Sequence, residues 1–131
     1  MAGRSESQRF ADGMRVRRAV LGDAHVDRAL AARDAFTGDF QDFITRTAWG
    51  DVWTRPGLDR RTRSVIVLSA TVALGAWEEF RLHVRAALRN GLTVAELAEI
   101  IGQLAIYAGV PRANTAFREA QAVLREDGAL P

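Results

Sequence analysis

The chain has 131 residues, 48% hydrophobic and 26% charged, enough for one domain with a substantial core. It has no cysteine, which excludes disulfides, a thiol nucleophile and thiolate metal sites. All 18 basic residues are arginine against 16 acidic ones, so the pI near 10.3 reflects arginine's own pKa and not a strong positive field, and no nucleic-acid partner is indicated.

Met1 to Gln8 is polar, lacks the apolar stretch of a signal peptide, and reads as a mobile lead-in to a single domain over residues 9–127. Arg9 to Leu21 has a helical pattern with Phe10, Met14 and Val20 inward, although Gly13 weakens it. Arg15, Arg17 and Arg18 form a solvated face of that helix or reach an acidic patch on a neighbouring copy. Asp23 is placed to cap the next helix, which runs with Val26, Leu30 and Ala31 inward to Phe36. Thr37-Gly38 breaks it. Asp39 to about Trp53 is a further helix, with Phe40, Phe43, Ile44, Thr47 and Ala48 on its inner side.

The segment WGDVWTRPGLD, Trp49 to Asp59, carries two tryptophans and an Arg-Pro-Gly turn signal. Its indoles either plug a corner between helices or wall a ligand site, where an N–H can donate. Asp59 caps a helix to Gly75 whose first turn is crowded by Arg60, Arg61 and Arg63, where the macrodipole disfavours cations. Acidic partners across an interface, or an anion bound by the helix start and the arginines together, must offset them. The remainder, VIVLSATVAL, is apolar almost all round. It is too short to cross a bilayer, so no membrane association is expected and the cytoplasm is the default location. Burial from several sides is most easily met by oligomerisation.

Leu74 to Gly91 is the stretch around which the chain is organised. Ala76, Trp77, Phe80, Val84, Ala87 and Leu88 share one side of a helix, and Arg81, Arg85 and Arg89 run down the other. Glu79 and His83, one turn apart, lie on the margin. A carboxylate that orients an imidazole at the edge of an apolar wall suits proton transfer. The alternative is a surface ion pair or a partly buried structural histidine. Thr93-Val-Ala-Glu96 is a capping box opening a helix with Leu97, Ile100, Ile101, Leu104 and Ala108 inward. Gln103 and Tyr107 on that helix either line a pocket or are ordinary packing residues. Pro111 at the first helical position starts the last helix, with Ala113, Phe117, Ala120 and Leu124 inward and order fading after Asp127. No segment alternates as a strand, so the fold is read as all-α.

No phosphate loop, zinc-protease motif or serine nucleophile elbow is present, and His25 and His83 are too few for a histidine-based metal site. The surplus of arginine suggests a small anionic ligand, particularly a carboxylate.

The run from Trp49 to Phe117 resembles the carboxymuconolactone decarboxylase family. Trp49-Gly50, Arg55 with Pro56-Gly57-Leu58, Arg61-Thr62-Arg63-Ser64, His83, Ala86-Ala87, Asn90-Gly91, Gln103, Tyr107-Ala108-Gly109-Val110-Pro111 and Ala116-Phe117 carry the resemblance, which extends over roughly residues 9 to 125. The family is similar to the alkylhydroperoxidase D-like superfamily, whose redox members carry Cys-x-x-Cys-x-x-x-His. Here Ala76 and Glu79 stand at the cysteine places while His83 remains, so dithiol peroxidase chemistry is excluded. The resemblance implies a helical bundle of about six to seven helices, assembled into trimers or hexamers with sites near subunit contacts.

It also implies cofactor-free decarboxylation of 4-carboxymuconolactone, a dicarboxylate lactone, to the enol-lactone of 3-oxoadipate in the protocatechuate branch of aromatic degradation. For such a reaction Arg55, Arg61 and Arg63 are the candidates for holding carboxylates. Gln103, Tyr107 or a tryptophan N–H would stabilise the oxyanion. His83, oriented by Glu79, would return a proton to carbon, and Trp49 and Trp53 would wall the site. Two alternatives stay open: a related decarboxylase or isomerase on another lactone or β-keto acid, and a non-catalytic oligomeric dicarboxylate-binding protein.

Overall fold

The computed structural model describes residues 3–131; Met1 and Ala2, part of the expected lead-in, lie outside the described residues. Among the described residues the chain forms seven α-helices and one π-helix, with no strand. It divides into two compact units, one ending at Leu58 and the other starting at Asp59.

The first unit contains α1 (Glu6–Leu21), α2 (Asp23–Ala31), α3 (Gly38–Ile44) and a π-helix (Thr45–Val52). α1 starts at Glu6, earlier than its apolar pattern suggests, because Ser5 and Gln8 close a capping box. The Ser5 hydroxyl accepts from Gln8 N at 3.1 Å, and Gln8 Oε1 accepts from Ser5 N at 2.7 Å. Its buried stripe is Gly13, Val16, Arg17, Val20 and Leu21. Gly13 is where α1 meets the π-helix. A Cβ there would lie 2.0 Å from the carbonyl oxygen of Thr45, and one at Gly50 would lie 2.4 Å from that of Arg9. The two backbones touch at reciprocal glycines, so the residue that weakens the helix by propensity is the one that permits the crossing.

That crossing also moves the inner face of the following segment. α3 passes directly into the π-helix, where Trp53 N donates to the carbonyl of Ala48, five residues back, at 2.9 Å. Gly38, Thr45, Trp49 and Gly50 are buried. Phe40 and Phe43, expected inward, are exposed, because a seam this close admits glycine and threonine and has no room for phenyl rings. Two further expectations shift. Asp23 is the first residue of α2 and not its cap; Gly22 holds that place, and the Asp23 carboxylate accepts from Arg18 at 3.1 Å. The helix stops at Ala31, leaving Phe36 exposed. Arg17 is not part of a solvated face: it is 7% exposed, with Gln41 Oε1 and Thr45 Oγ1 accepting at 3.4 and 3.3 Å.

The second unit contains α4 (Arg60–Leu74), α5 (Trp77–Arg89), α6 (Val94–Tyr107) and α7 (Val110–Glu126). Leu68 and Val72 of α4, Phe80 and Val84 of α5, Leu97 and Ile101 of α6, and Ala116, Ala120 and Leu124 of α7 form its core. Each large aliphatic or aromatic side chain so buried contributes about 1.5–3 kcal/mol. Asp59 caps α4 by accepting from Thr62 N at 2.7 Å, and that bond holds its carboxyl below the usual range. Leu74 ends α4 and does not begin α5. Gly75, at φ 68°, is a left-handed C-cap, and α5 starts at Trp77. Thr93 and Glu96 form the expected capping box. Pro111 is the second residue of α7, after Val110, and Phe117 lies at the surface while Ala116 takes the inner position.

Candidate active site

The sequence-derived candidates fall in both units. Trp49, Trp53 and Arg55 belong to the first. Trp49 projects from the π-helix into the core at 6% exposure, and the half-buried Trp53 stacks on it, with ring centroids 5.0 Å apart and planes at 30°. The buried ring is thus a packing residue that supports the outer one. Arg55, in the turn after the π-helix, is exposed and lines a cavity of about 520 Å³ with Arg4, Asp12, Arg15, Asp51, Thr54 and Pro56. This charged cavity was not legible in the sequence. Its walls come from Arg4 and α1 on one side and from Asp51 and the residues after the π-helix on the other, linked by pairs 42 and 47 positions apart, and the glycine crossing brings them together.

His83, Glu79, Arg61, Arg63, Gln103 and Tyr107 belong to the second unit. His83 is 6% exposed and part of the buried face of α5, together with Phe80, Val84, Ala86 and Ala87. It is therefore deeper than the margin position that a wheel starting at Leu74 suggests. Glu79, one turn earlier, is exposed. The arginines on the other side of α5 do not simply face solvent: Arg81 pairs with Glu119 at 2.8 Å, and Arg85 with Asp127 at 2.8 Å and Glu126 at 3.3 Å, all on or just past α7. These pairs are part-exposed and add at most ~1 kcal/mol each, so they orient α5 more than they stabilise it.

Of the three cations at the start of α4, Arg61 finds its acidic partner within the unit and not across an interface as expected. Arg61 donates to Glu96, whose other oxygen accepts from Thr93 N at 3.1 Å, so one carboxylate both caps α6 and neutralises α4. Arg63 is half-buried. Beside it Ser64, fully buried, accepts from Asn90 Nδ2 at 2.8 Å, which ties the start of α4 to the end of α5. Gln103 and Tyr107 lie on the outer face of α6, and Tyr107 is 80% exposed, so neither lines a pocket within its own unit. Ile66 and Leu74 of α4, Ile106 of α6, and Val110 and Phe117 of α7 are exposed as well. The apolar helix α4 thus buries one face in its own unit and leaves another open.

Among the described residues no group of three or more histidine, cysteine, aspartate or glutamate side chains is placed to hold a metal ion. No helix among them is long and apolar enough to cross a membrane. What the second unit offers is a buried imidazole with a carboxylate one turn away, and half-buried arginine at the head of the neighbouring helix. The first offers a stacked indole pair and a guanidinium-lined cavity.

Comparison with known proteins gives this chemistry a context. The profile of the carboxymuconolactone decarboxylase family matches residues 38–122. The chain is 45% identical over 127 residues to the 4-carboxymuconolactone decarboxylase of Acinetobacter baylyi, covering 97% of this chain and 95% of that one. It is 44% identical over 102 residues to the nitrosuccinic acid decarboxylase of Metarhizium robertsii, covering 78% of this chain and 71% of that protein. A shorter match, 63% over 46 residues, is to the 4-carboxymuconolactone decarboxylase of Pseudomonas putida, covering 35% of this chain and 96% of that sequence.

Proposed function

The chain belongs to the carboxymuconolactone decarboxylase family, and from that premise we propose that it converts 4-carboxymuconolactone to the enol-lactone of 3-oxoadipate, in the cytoplasm and in the protocatechuate branch of the β-ketoadipate pathway. The observation that carries the proposal is the similarity over 97% of the chain, which takes in a buried His83 on α5. Loss of CO₂ from a carbon conjugated to the lactone drives an electron pair toward the lactone carbonyl. The substrate is its own electron sink, so the reaction needs no cofactor. Three tasks remain for the protein.

The first is to hold carboxylates, which guanidinium groups do with paired, charge-assisted hydrogen bonds. Arg63 and Arg55 carry this role ahead of Arg61, which Glu96 already engages. Stabilising the developing oxyanion is the second task, commonly an effect of about 3 kcal/mol per donor. Gln103, Tyr107 and the Trp53 N–H are the donors, with Trp49 as the support on which Trp53 stacks. The third is to return a proton to carbon, the role of His83, with Glu79 supplying and orienting that proton. Residues 9–127 act as one catalytic domain in this reading.

Gln103 and Tyr107 sit on an exposed apolar surface of the second unit, and a subunit contact that covers that surface would bring them into a shielded site. We accordingly read the working form as a homotrimer or homohexamer. Light scattering at micromolar concentration should give a mass several times that of the 14.4 kDa chain, and a stable monomer would remove the argument for a shielded Tyr107.

Purified protein should abolish the ultraviolet signal of 4-carboxymuconolactone with release of one CO₂ per turnover, in the presence of excess EDTA. A preparation that dies with chelator and revives with one metal would overturn the cofactor-free mechanism. A second reading, decarboxylation of a different small dicarboxylate, is favoured by the relative named for nitrosuccinic acid. A substrate panel that includes both compounds ranks the two by kcat/KM.

A further inference from the structure

The cavity that Arg55 lines has a charge balance that packing alone does not require. Among its lining side chains three arginines, Arg4, Arg15 and Arg55, stand with two carboxylates, Asp12 and Asp51, while Arg9 closes on Asp51 and is also acted on by Glu6. Arg4 is engaged through both terminal nitrogens: it donates to Asp12 at 2.8 Å and to the carbonyl of Gly50 at 3.0 Å, and stands 3.5 Å from Asp51. Arg9 closes on Asp51 with two donors, at 2.9 and 2.5 Å. Arg15 is different. It gives one N–H to Asp12 at 2.8 Å, and its side chain is 69% exposed at the cavity wall. Asp12 is held below the usual carboxylate range by Arg4 and then Arg15, and Asp51 by Arg9, so both stay ionised at neutral pH and accept hydrogen bonds only.

Excess positive charge, a concave wall and a guanidinium with donors to spare describe an anion site. Its volume falls in the range of small-ligand pockets. We propose that this cavity binds a carboxylate of a small organic dicarboxylate, with Arg15 acting beside Arg55 as a binding residue. Arg4 serves it indirectly, by fixing Asp12, to which Arg15 donates at the wall, while Arg9 fixes Asp51 beside them. Thr54, whose hydroxyl donates to the carbonyl of Gly50 at 2.6 Å, fixes the turn from which Arg55 projects. The choice of a dicarboxylate among anions rests on the decarboxylase reading above.

Titration calorimetry with adipate, a dicarboxylate that cannot lose CO₂ by this chemistry, tests the site without turnover, so it remains decisive even if the lactone assay fails. Arg15→Met should weaken adipate binding by roughly tenfold or more, the scale of a lost charge-assisted contact that is partly exposed. Arg15→Lys should fall between the two, because it keeps the charge and loses the fork. Arg89→Met, an exposed cation on α5, should bind as wild type. If the lactone is a substrate, Arg15→Met should raise its KM by a similar factor and leave kcat within about twofold. Wild-type affinity in a folded Arg15→Met protein would overturn the proposal. So would equal weakening in Arg89→Met, no adipate binding by the wild type, or binding of inorganic phosphate as tight as that of adipate.

Discussion

Replacing His83 by asparagine should leave a folded protein whose kcat on the lactone is lower by about 10²-fold or more, the usual effect of removing a positioned proton donor. The residue is almost wholly buried, on the helix face that also buries Phe80, Val84 and Ala87, so a smaller polar residue will also cost some stability. Circular dichroism and a melting curve therefore have to accompany the kinetics, and the rate loss must exceed what the unfolded fraction accounts for. Glu79→Gln should cost less, because Glu79 is exposed and its replacement keeps the shape while losing only orientation and proton supply. In D₂O the wild type should place deuterium on one face of the lactone α-carbon, provided the product is trapped before exchange. Residual turnover by His83→Asn should lose that selectivity as solvent delivers the proton. A folded His83→Asn enzyme with near-normal rate and unchanged stereochemistry would move the acid role elsewhere. Tyr107→Phe would be the next variant to make, since its hydroxyl is accessible on α6.

The second large effect is structural and concerns Gly13. Gly13→Ala should destabilise the first unit by more than the roughly 1–3 kcal/mol typical of an overpacked core. The added methyl would fall 2.0 Å from the Thr45 carbonyl oxygen and 2.9 Å from Gly50 N, and both obstacles are backbone. No rotamer change relieves such a clash. α1 must move off the π-helix, which also parts Arg9 and Arg4 from Asp51 and opens the charged cavity. Chemical denaturation followed by tryptophan fluorescence reports on this region through Trp49 and Trp53. Gly91→Ala, where a Cβ meets nothing but φ is 97°, provides the contrast: its cost comes from backbone strain alone. A Gly13→Ala protein as stable as wild type would mean that the crossing is looser than it stands.

The all-helical fold was legible along the chain because its signals are local. Asp59 and Thr93 satisfy backbone donors within three residues, Gly75 and Gly91 adopt the positive φ that glycine tolerates, and the 3.6-residue spacing of Leu97 and Ile101 needs no partner to be seen. The amphipathic pattern of α5 was legible for the same reason, and the chemistry assigned to His83 comes from the family resemblance and stands as a proposal. What sequence periodicity misjudged were positions where two chain segments set each other's geometry. A single helical wheel over Asp39 to Trp53 assumes one α-helical phase, whereas α3 gives way to the π-helix at Thr45 and the close seam with α1 is made by Thr45, Trp49 and Gly50, which leaves Phe40 and Phe43 of α3 exposed.

Gly13 looked like a flaw because propensity measures a helix in isolation, whereas here a second backbone occupies the place of its side chain. Arg17 looked solvated because a run of three arginines is polar on average, yet the stripe of Gly13, Val16 and Val20 carries it inward. The pairing of Arg61 with Glu96, the exposure of Gln103 and Tyr107, and the gathering of Arg4, Arg15 and Arg55 around one cavity depend on contacts between residues as many as 47 positions apart. Propensity, capping and periodicity act over a few residues and so can be read from the chain. Burial, charge pairing and close backbone approach are properties of pairs brought together in space, and only the tertiary structure decides them.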